Sequence, residues 1–309
     1  MPSPKVIRRR ISSTKATQKI TRAMKMVAGA RLTRAQQRIL AMRPYAVKTA
    51  EVLQSVTRTM ASADSQNEPV HPLLAVRPEK KALFLVFSAD RGLCGALNTN
   101  INKSTERAWQ EKVATDIQVS FATLGRKGRE YLNRRDADVV RDFPRVYDRV
   151  DLDKARVVAS WLVPRFQKAE CDSVYFVYNE FKSALTQRVV IERLLPLGIP
   201  SDGGSGASPG RTANDAGAQG MAPSDFIYEP NQQALLERLV PMYVEITVYR
   251  ALLESQASFF GAQMTAMDAA TRNAKDMIAT YTLMYNRARQ ATITKELMEI
   301  IGGAEALKT

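Results

Sequence analysis

The sequence predicts an α/β fold, with a long antiparallel coiled coil of N- and C-terminal helices plus a Rossmann-like α/β domain. Three observations predict it. Helical seams run from about residue 5 to 61 and again from 231 to about 301, and strand patterns alternate with helical ones between 80 and 196. Only 7% of the residues are aromatic, which suits long helices better than a β-sandwich.

The N-terminal seam predicts one shaft helix over residues 1–61. Small or apolar residues recur there at steps of three and four, interrupted at Pro44. At 1.5 Å per residue, such a helix would be roughly 80 Å long, so we expect it to project beyond any core the chain builds alone. Polar residues over 62–79 then indicate a linker. The seam consists of Ile7, Ile11, Thr14, Thr21, Met24, Ala28, Leu32, Ala35, Ile39, Met42, Ala46, Leu53 and Val56.

Residues 80–196 change character and predict a globular α/β domain. Ala82–Phe87 is a continuous apolar run of strand length, Ile117–Thr123 alternates, and Val174–Tyr178 is a third strand candidate. Helical stretches near 97–112, 125–134 and 152–169 separate them, which favours a mostly parallel sheet. Ser183–Leu195 is typical of an edge strand antiparallel to its neighbour.

A loop and a second long helix complete the predicted organisation. Residues 197–227 are rich in Gly, Ser, Ala and Asp and predict a flexible loop, which lacks the cysteines a thiol switch would need. Residues 228–309 predict a C-terminal shaft helix in which Pro241 should produce a kink or mark the true start. Its seam is Val244, Val248, Leu252, Ser255, Phe259, Ala262, Ala266, Ala269, Asn273, Met277, Thr280, Met284 and Ala291.

The terminal stretch from Arg289 to Ala304 keeps a helical pattern in a place where most chains fray. It carries almost no residues suited to catalysis. We therefore expect something outside this chain to hold it.

The net charge of +14 is concentrated in the first fifth of the chain, where fourteen Lys and Arg residues stand against Glu51 alone. A nucleic-acid surface is one interpretation, although Tyr45 is the segment's only aromatic residue. A membrane-surface helix is another, but its apolar face would be thin. The remaining interpretations are the solvated face of a coiled coil and a charged shaft inside a partner with acidic walls.

Candidate chemistry is sparse, so the sequence predicts no catalytic residues, no cofactor and no metal. His71 is the only histidine, and we expect a solvated loop residue. Cys94 and Cys171 have no metal-ligand spacing and are predicted to be reduced, buried thiols. Asp90–Gly95 follows the first strand but lacks a phosphate-loop motif, which favours a tight turn.

No apolar run is long enough for a membrane-spanning helix, and no apolar signal core is present. The helical pattern begins almost directly after Met1, leaving no room for a transit peptide. These features predict a bacterial, cytoplasmic protein that is soluble or peripheral to a membrane.

Four segments, in order, resemble the gamma-subunit family of F-type ATP synthases of the bacterial type. They are Arg10–Ala28, Ser88–Asn98, Tyr228–Pro230 and Tyr285–Ile300. The match runs from the first helix to the C-terminus. The loop before Tyr228 is long, and the cysteine insert of the chloroplast type is missing.

The resemblance implies a non-catalytic rotor shaft that couples proton-driven rotation of the c ring to ATP synthesis on beta subunits. The implied partners are the alpha and beta subunits, the epsilon subunit and the c ring, on the cytoplasmic side of the cell inner membrane. The alternative from the residues alone is a basic coiled-coil nucleic-acid-binding protein.

The resemblance also implies individual contact residues. Arg289, Gln290, Thr294 and Glu296 occupy the positions that contact the catch loop of a beta subunit. Met24 and Lys25 lie in the stretch of the first helix that faces the beta subunit, and Tyr228 and Glu229 lie near the foot that engages the c ring.

Overall fold

The computed structural model describes residues 3–63, 71–197 and 232–306. Packing divides the chain into two compact units. The first, here the two-helix unit, combines the residues up to Ala30 with those from Gln263 onward, and the second, here the sheet unit, is Arg31–Ala262. Of the loop predicted over 197–227, only Leu197 lies within the described residues.

Two long α-helices, a five-stranded sheet, three further α-helices and two short 3-10 helices form the described structure. The elements in chain order are α1 (Pro4–Ala63), β1 (Lys81–Phe87), α2 (Leu97–Ala114), β2 (Gln118–Leu124), α3 (Arg126–Asn133), β3 (Val139–Phe143), α4 (Leu152–Gln167), β4 (Ser173–Phe181), β5 (Gln187–Leu195) and α5 (Gln232–Ala306).

Both long helices contain a proline. Helix α1 continues through Pro44. Helix α5 begins at Gln232 and continues through Pro241, so the alternative in which Pro241 marks the helix start is wrong. Pro241 alone could not locate the start of α5, because a proline can occupy the first turn of a helix and can also lie further inside a helix, where it produces a bend.

The sheet has the strand order β3-β2-β1-β4-β5. Strands β1 to β4 pair in parallel, and β5 pairs antiparallel with β4. The predicted mostly parallel sheet and its antiparallel edge strand are therefore confirmed. Strand β3 was not predicted, because its sequence carries Arg141 and Asp142 and only Phe143 of it is buried.

Both faces of the sheet are covered, which explains the continuous apolar sequence of β1. Leu83, Leu85 and Phe87 point into a core shared with α4 and α5. On the other face, Phe84 and Val86 join a second core with α2 and α3. The end of α1 contributes to the first of these cores through Leu53 and Val56.

His71 is buried, with 6% of its surface exposed, so the expectation of a solvated loop residue is wrong. Its Nδ1 accepts a hydrogen bond of 3.1 Å from the Leu73 N–H in a short 3-10 turn, Pro72–Leu74. Desolvation lowers the pKa of His71, which favours the neutral ring that this acceptor role needs. Cys94 and Cys171 are free and buried, as predicted.

A half-buried charged cluster joins α5 to strands β4 and β5. The Arg250 Nη2 lies 3.0 Å from the Glu192 Oε2, and the Tyr178 hydroxyl donates to the same oxygen at 3.1 Å. The Arg250 Nε lies 3.8 Å from the Glu254 Oε1. Burial raises the pKa of Glu254 to about 7, although the Arg250 charge acts in the opposite direction.

Candidate partner-binding surface

The two-helix unit is held by one narrow seam with a strict heptad period. On α1, buried and half-buried side chains recur at alternating steps of four and three, and α5 repeats the same steps. The α1 positions are Ile7, Ile11, Thr14, Gln18, Thr21, Lys25 and Ala28, and the α5 positions are Met267, Thr271, Ala274, Ile278, Tyr281, Tyr285 and Ala288.

The α5 seam differs from the predicted one beyond Ala262. Asn273, Met277, Thr280, Met284 and Ala291 are exposed, so their assignment to the seam is wrong. Ala, Thr and Met occur on both the buried and the exposed faces of this helix. The residue types therefore do not show which face is buried. The predicted α1 seam is confirmed, since all of its residues are buried or half-buried.

Three contacts across the seam set the register of the two helices. The hydroxyls of Thr21 and Thr271 are 2.8 Å apart, and Lys25 forms an ion pair with Asp268. A Cβ added to Gly29 would lie 3.5 Å from the sulfur of a methionine on α5, Met264. Positions rise on α1 as they fall on α5, which confirms the predicted antiparallel pairing.

Lys25 and Met24 are both half-buried, unlike most of their neighbours on α1. The partner of Lys25 is shared, because the Asp268 Oδ2 also lies 3.2 Å from the Arg272 Nη2. The hydrogen bond from Lys25 lowers the pKa of Asp268, so this carboxylate stays ionised at neutral pH. Lys25 is therefore engaged within the unit.

The other predicted contact residues lie close to the end of α5. Arg289, Gln290, Thr294 and Glu296 are all exposed. The register of the seam places Ala288 opposite the first residues of α1, so these four residues follow the paired part of α5. The helix then continues to Ala306, and every residue from 291 to 301 is exposed.

An apolar stripe, Ile293, Leu297 and Ile300, occupies one face of this extension at steps of four and three. These residues are 53%, 53% and 72% exposed, respectively. Exposed apolar stripes of this kind mark binding surfaces. The sequence interpretation expected an external support here but did not identify these residues, although their helical spacing is visible in the sequence.

The first part of α1 adds positive charge to this unit. Lys5, Arg8, Lys15 and Lys19 are exposed, and no ion pair involves them within the described residues. Unpaired cations on an exposed helix attract acidic partners.

Tyr228 and Glu229, the predicted c-ring contacts, lie outside the described residues. Within residues 3–63, 71–197 and 232–306, no group of His, Cys, Asp and Glu is arranged to hold a metal ion. No helix in the same ranges is long and apolar enough to cross a membrane.

A heptad-paired helical unit with an exposed apolar end, together with a mostly parallel α/β sheet unit, defines a coiled-coil protein that binds partners. Residues 3–307 match the family model described as ATP synthase. The chain is 53% identical to the ATP synthase gamma chain of Sorangium cellulosum (strain So ce56) and 47% identical to that of Anaeromyxobacter sp. (strain Fw109-5), with all of each chain covered. The chain belongs to the ATP synthase gamma chain family.

A solved structure has the same fold. The rotor of the Euglena gracilis mitochondrial ATP synthase matches with a TM-score of 0.63 at 18% identity, covering 94% of this chain and 98% of that one. Together with the relatives, this likeness gives no support to the nucleic-acid alternative.

Proposed function

We propose that this chain is the central rotor shaft of an F-type ATP synthase. It couples proton-driven rotation of the c ring to ATP synthesis at catalytic sites on the beta subunits, and it is itself non-catalytic. The exposed apolar stripe of Ile293, Leu297 and Ile300 carries the proposal, because a solvent-exposed stripe at a helix end requires a partner. Membership of the gamma chain family supports it.

Six residues are proposed to contact the beta subunit. Four of them, Arg289, Gln290, Thr294 and Glu296, are exposed polar residues beside the apolar stripe, where they are free to bind a catch loop. The other two, Met24 and Lys25, are proposed to face the beta subunit from α1. The ion pair of Lys25 with Asp268 would hold the lysine side chain in position for this contact.

The chain is also proposed to engage the c ring and the epsilon subunit. Tyr228 and Glu229 are the proposed c-ring contacts. The complex would hold the chain peripherally on the cytoplasmic side of the cell inner membrane. The division into shaft segments 1–61 and 228–309, linker 62–79, globular domain 80–196 and loop 197–227 is part of the same proposal.

Assembly with the partner subunits tests this function. Co-expression with alpha, beta and epsilon subunits should give a stable complex in which ATP hydrolysis turns a bead attached to this chain. A chain that fails to assemble would contradict the proposal. Retention of nucleic acid with a steep salt dependence would instead support the nucleic-acid alternative.

A further inference from the structure

A cleft of about 370 Å³ opens within the sheet unit, beside the carboxyl ends of β1 and β4. Its lining includes Phe87, the last residue of β1, Ser88 directly after it, and Asn179 of β4. The strand order changes direction between these two neighbouring strands, since β2 lies on the far side of β1 and β5 on the far side of β4. Open α/β sheets bind ligands at this position.

Four arginines give the cleft a strong positive charge. Arg31, Arg34 and Arg38 reach it from one face of α1, and Arg91 reaches it from the loop after β1. None of the four forms an ion pair among the residues that the structure describes. Asp90 is the one acidic residue in the described lining. Its Oδ1 already accepts a hydrogen bond of 3.0 Å from the Arg126 backbone N–H.

Two of the arginines contact uncharged groups, which position their side chains without neutralising their charge. The Arg31 guanidinium lies 5.8 Å from the centre of the Phe260 ring. The Arg38 Nη1 lies 3.4 Å from the Val150 carbonyl oxygen. Guanidinium groups positioned in this way bind planar or tetrahedral oxyanions through paired hydrogen bonds.

Two buried hydroxyl groups in the same cleft lack hydrogen-bond partners of normal geometry. They are the Tyr147 hydroxyl and the Ser255 Oγ. Ser255 is only 4% exposed, and its hydroxyl lies close enough to that of Tyr147 to act on the Tyr147 pKa. The two hydroxyls do not meet in a hydrogen bond of normal geometry, so each can still donate to a ligand, which would remove the cost of leaving them buried and unpaired. Burial raises the pKa of Tyr147, so its hydroxyl remains a donor at neutral pH.

We propose that this cleft binds a phosphate group, supplied by inorganic phosphate or by a small phosphomonoester. The arginines neutralise the charge, and the Tyr147 and Ser255 hydroxyls donate to phosphate oxygens. The site shares no residue with the partner-binding surface described above and does not depend on the rotor function.

Titration of the full chain tests the proposal directly. Inorganic phosphate and phenyl phosphate, each added at constant ionic strength, should show saturable binding by calorimetry. The tighter of the two identifies the source of the phosphate group. In the unmodified protein, phosphate should also slow the reaction of phenylglyoxal with Arg34 and Arg38 but not with the exposed Arg107 of α2.

Substitutions distinguish specific phosphate binding in the cleft from nonspecific attraction of phosphate to a basic surface. Arg34→Gln should weaken phosphate binding by about tenfold, whereas the matched control Arg107→Gln should leave it unchanged. Equal weakening by both substitutions, or no saturable binding of either probe, would overturn the proposal. Equal protection of Arg34, Arg38 and Arg107 from phenylglyoxal would do the same without any variant.

Discussion

The Ser88 hydroxyl joins the end of β1 to the start of α3 through Gly125: its Oγ donates to the Gly125 carbonyl oxygen at 3.0 Å and accepts from the Gly128 N–H at 2.7 Å. Gly125 has a φ of +106°, and an added Cβ would lie 2.0 Å from the Ser88 carbonyl oxygen. Only glycine fits this close approach.

Gly125→Ala should therefore lower the free energy of unfolding by about 3 kcal/mol or more, since the added methyl group meets backbone atoms. Urea unfolding of the full chain, followed by circular dichroism, measures this. Gly92→Ala is the control, because no atom beyond the two adjacent residues of the chain lies within 4 Å of its added Cβ. Equal stability of the two variants would contradict the packing described for Gly125.

Glu254 should make the stability of the sheet unit depend on pH. Its pKa is about 7 in the folded chain, whereas its ordinary value is 4.5. The folded state thus binds more protons than the unfolded state between these values, and stability falls as pH rises through the window. Glu254→Gln should remove this loss, which is on the order of 3 kcal/mol.

Unfolding free energies at pH 5 and pH 8 measure the effect of Glu254. Glu254→Gln should stabilise the chain at pH 8 and have little effect at pH 5. Glu111→Gln, at an exposed site on α2, should leave the pH dependence unchanged. An unchanged pH dependence in Glu254→Gln would show that other groups produce it.

Gln290→Ala should slow ATP hydrolysis by the assembled complex by about fivefold, and Arg289→Ala by about tenfold or more. Each lost hydrogen bond contributes about 1 to 1.5 kcal/mol, more when charged. Both side chains are exposed, so the thermal stability of the free chain should not change. Steady-state hydrolysis and proton pumping in reconstituted complexes provide the measurement.

Lys275→Ala is the control for these two substitutions, because Lys275 is an exposed cation elsewhere on α5. Its turnover should stay within about twofold of the wild type. If Arg289→Ala and Gln290→Ala behave in the same way, neither residue belongs to the proposed contact.

Leu297→Asp and Ile300→Asp should weaken assembly with the alpha and beta subunits by at least about tenfold, because each places a charge within the apolar stripe. Size-exclusion chromatography at several protein concentrations measures assembly. Glu299→Gln, beside the stripe, should assemble normally. Normal assembly of both aspartate variants would exclude the stripe from the interface.

Much of the fold was predictable because its strongest patterns are local. The continuous apolar run of β1 requires burial on both faces, and the helical seam of α1, which combines apolar and small residues, requires a packed neighbour. Strand β3 could not be predicted, because Arg141 and Asp142 are residues typical of an exposed loop. They form a strand only because they pair with β2. The burial of His71 depends on distant elements.

The helical pattern at the C-terminal end predicted that a partner binds there, but the individual contact residues were predictable only through resemblance. Nothing in the immediate sequence distinguishes Arg289 from other exposed arginines. The phase of the α5 seam required the partner helix, because Thr271 enters the seam by meeting Thr21 rather than by being apolar.

The heptad seam of the two-helix unit has a mechanical consequence. A seam that repeats every 3.5 residues lies on helices with 3.6 residues per turn, so the pair coils with a left hand. Twisting a left-handed coiled coil in one direction tightens the winding of its two helices, and twisting it in the other direction loosens that winding. Torque applied about this pair therefore meets a stiffness that depends on the sense of rotation.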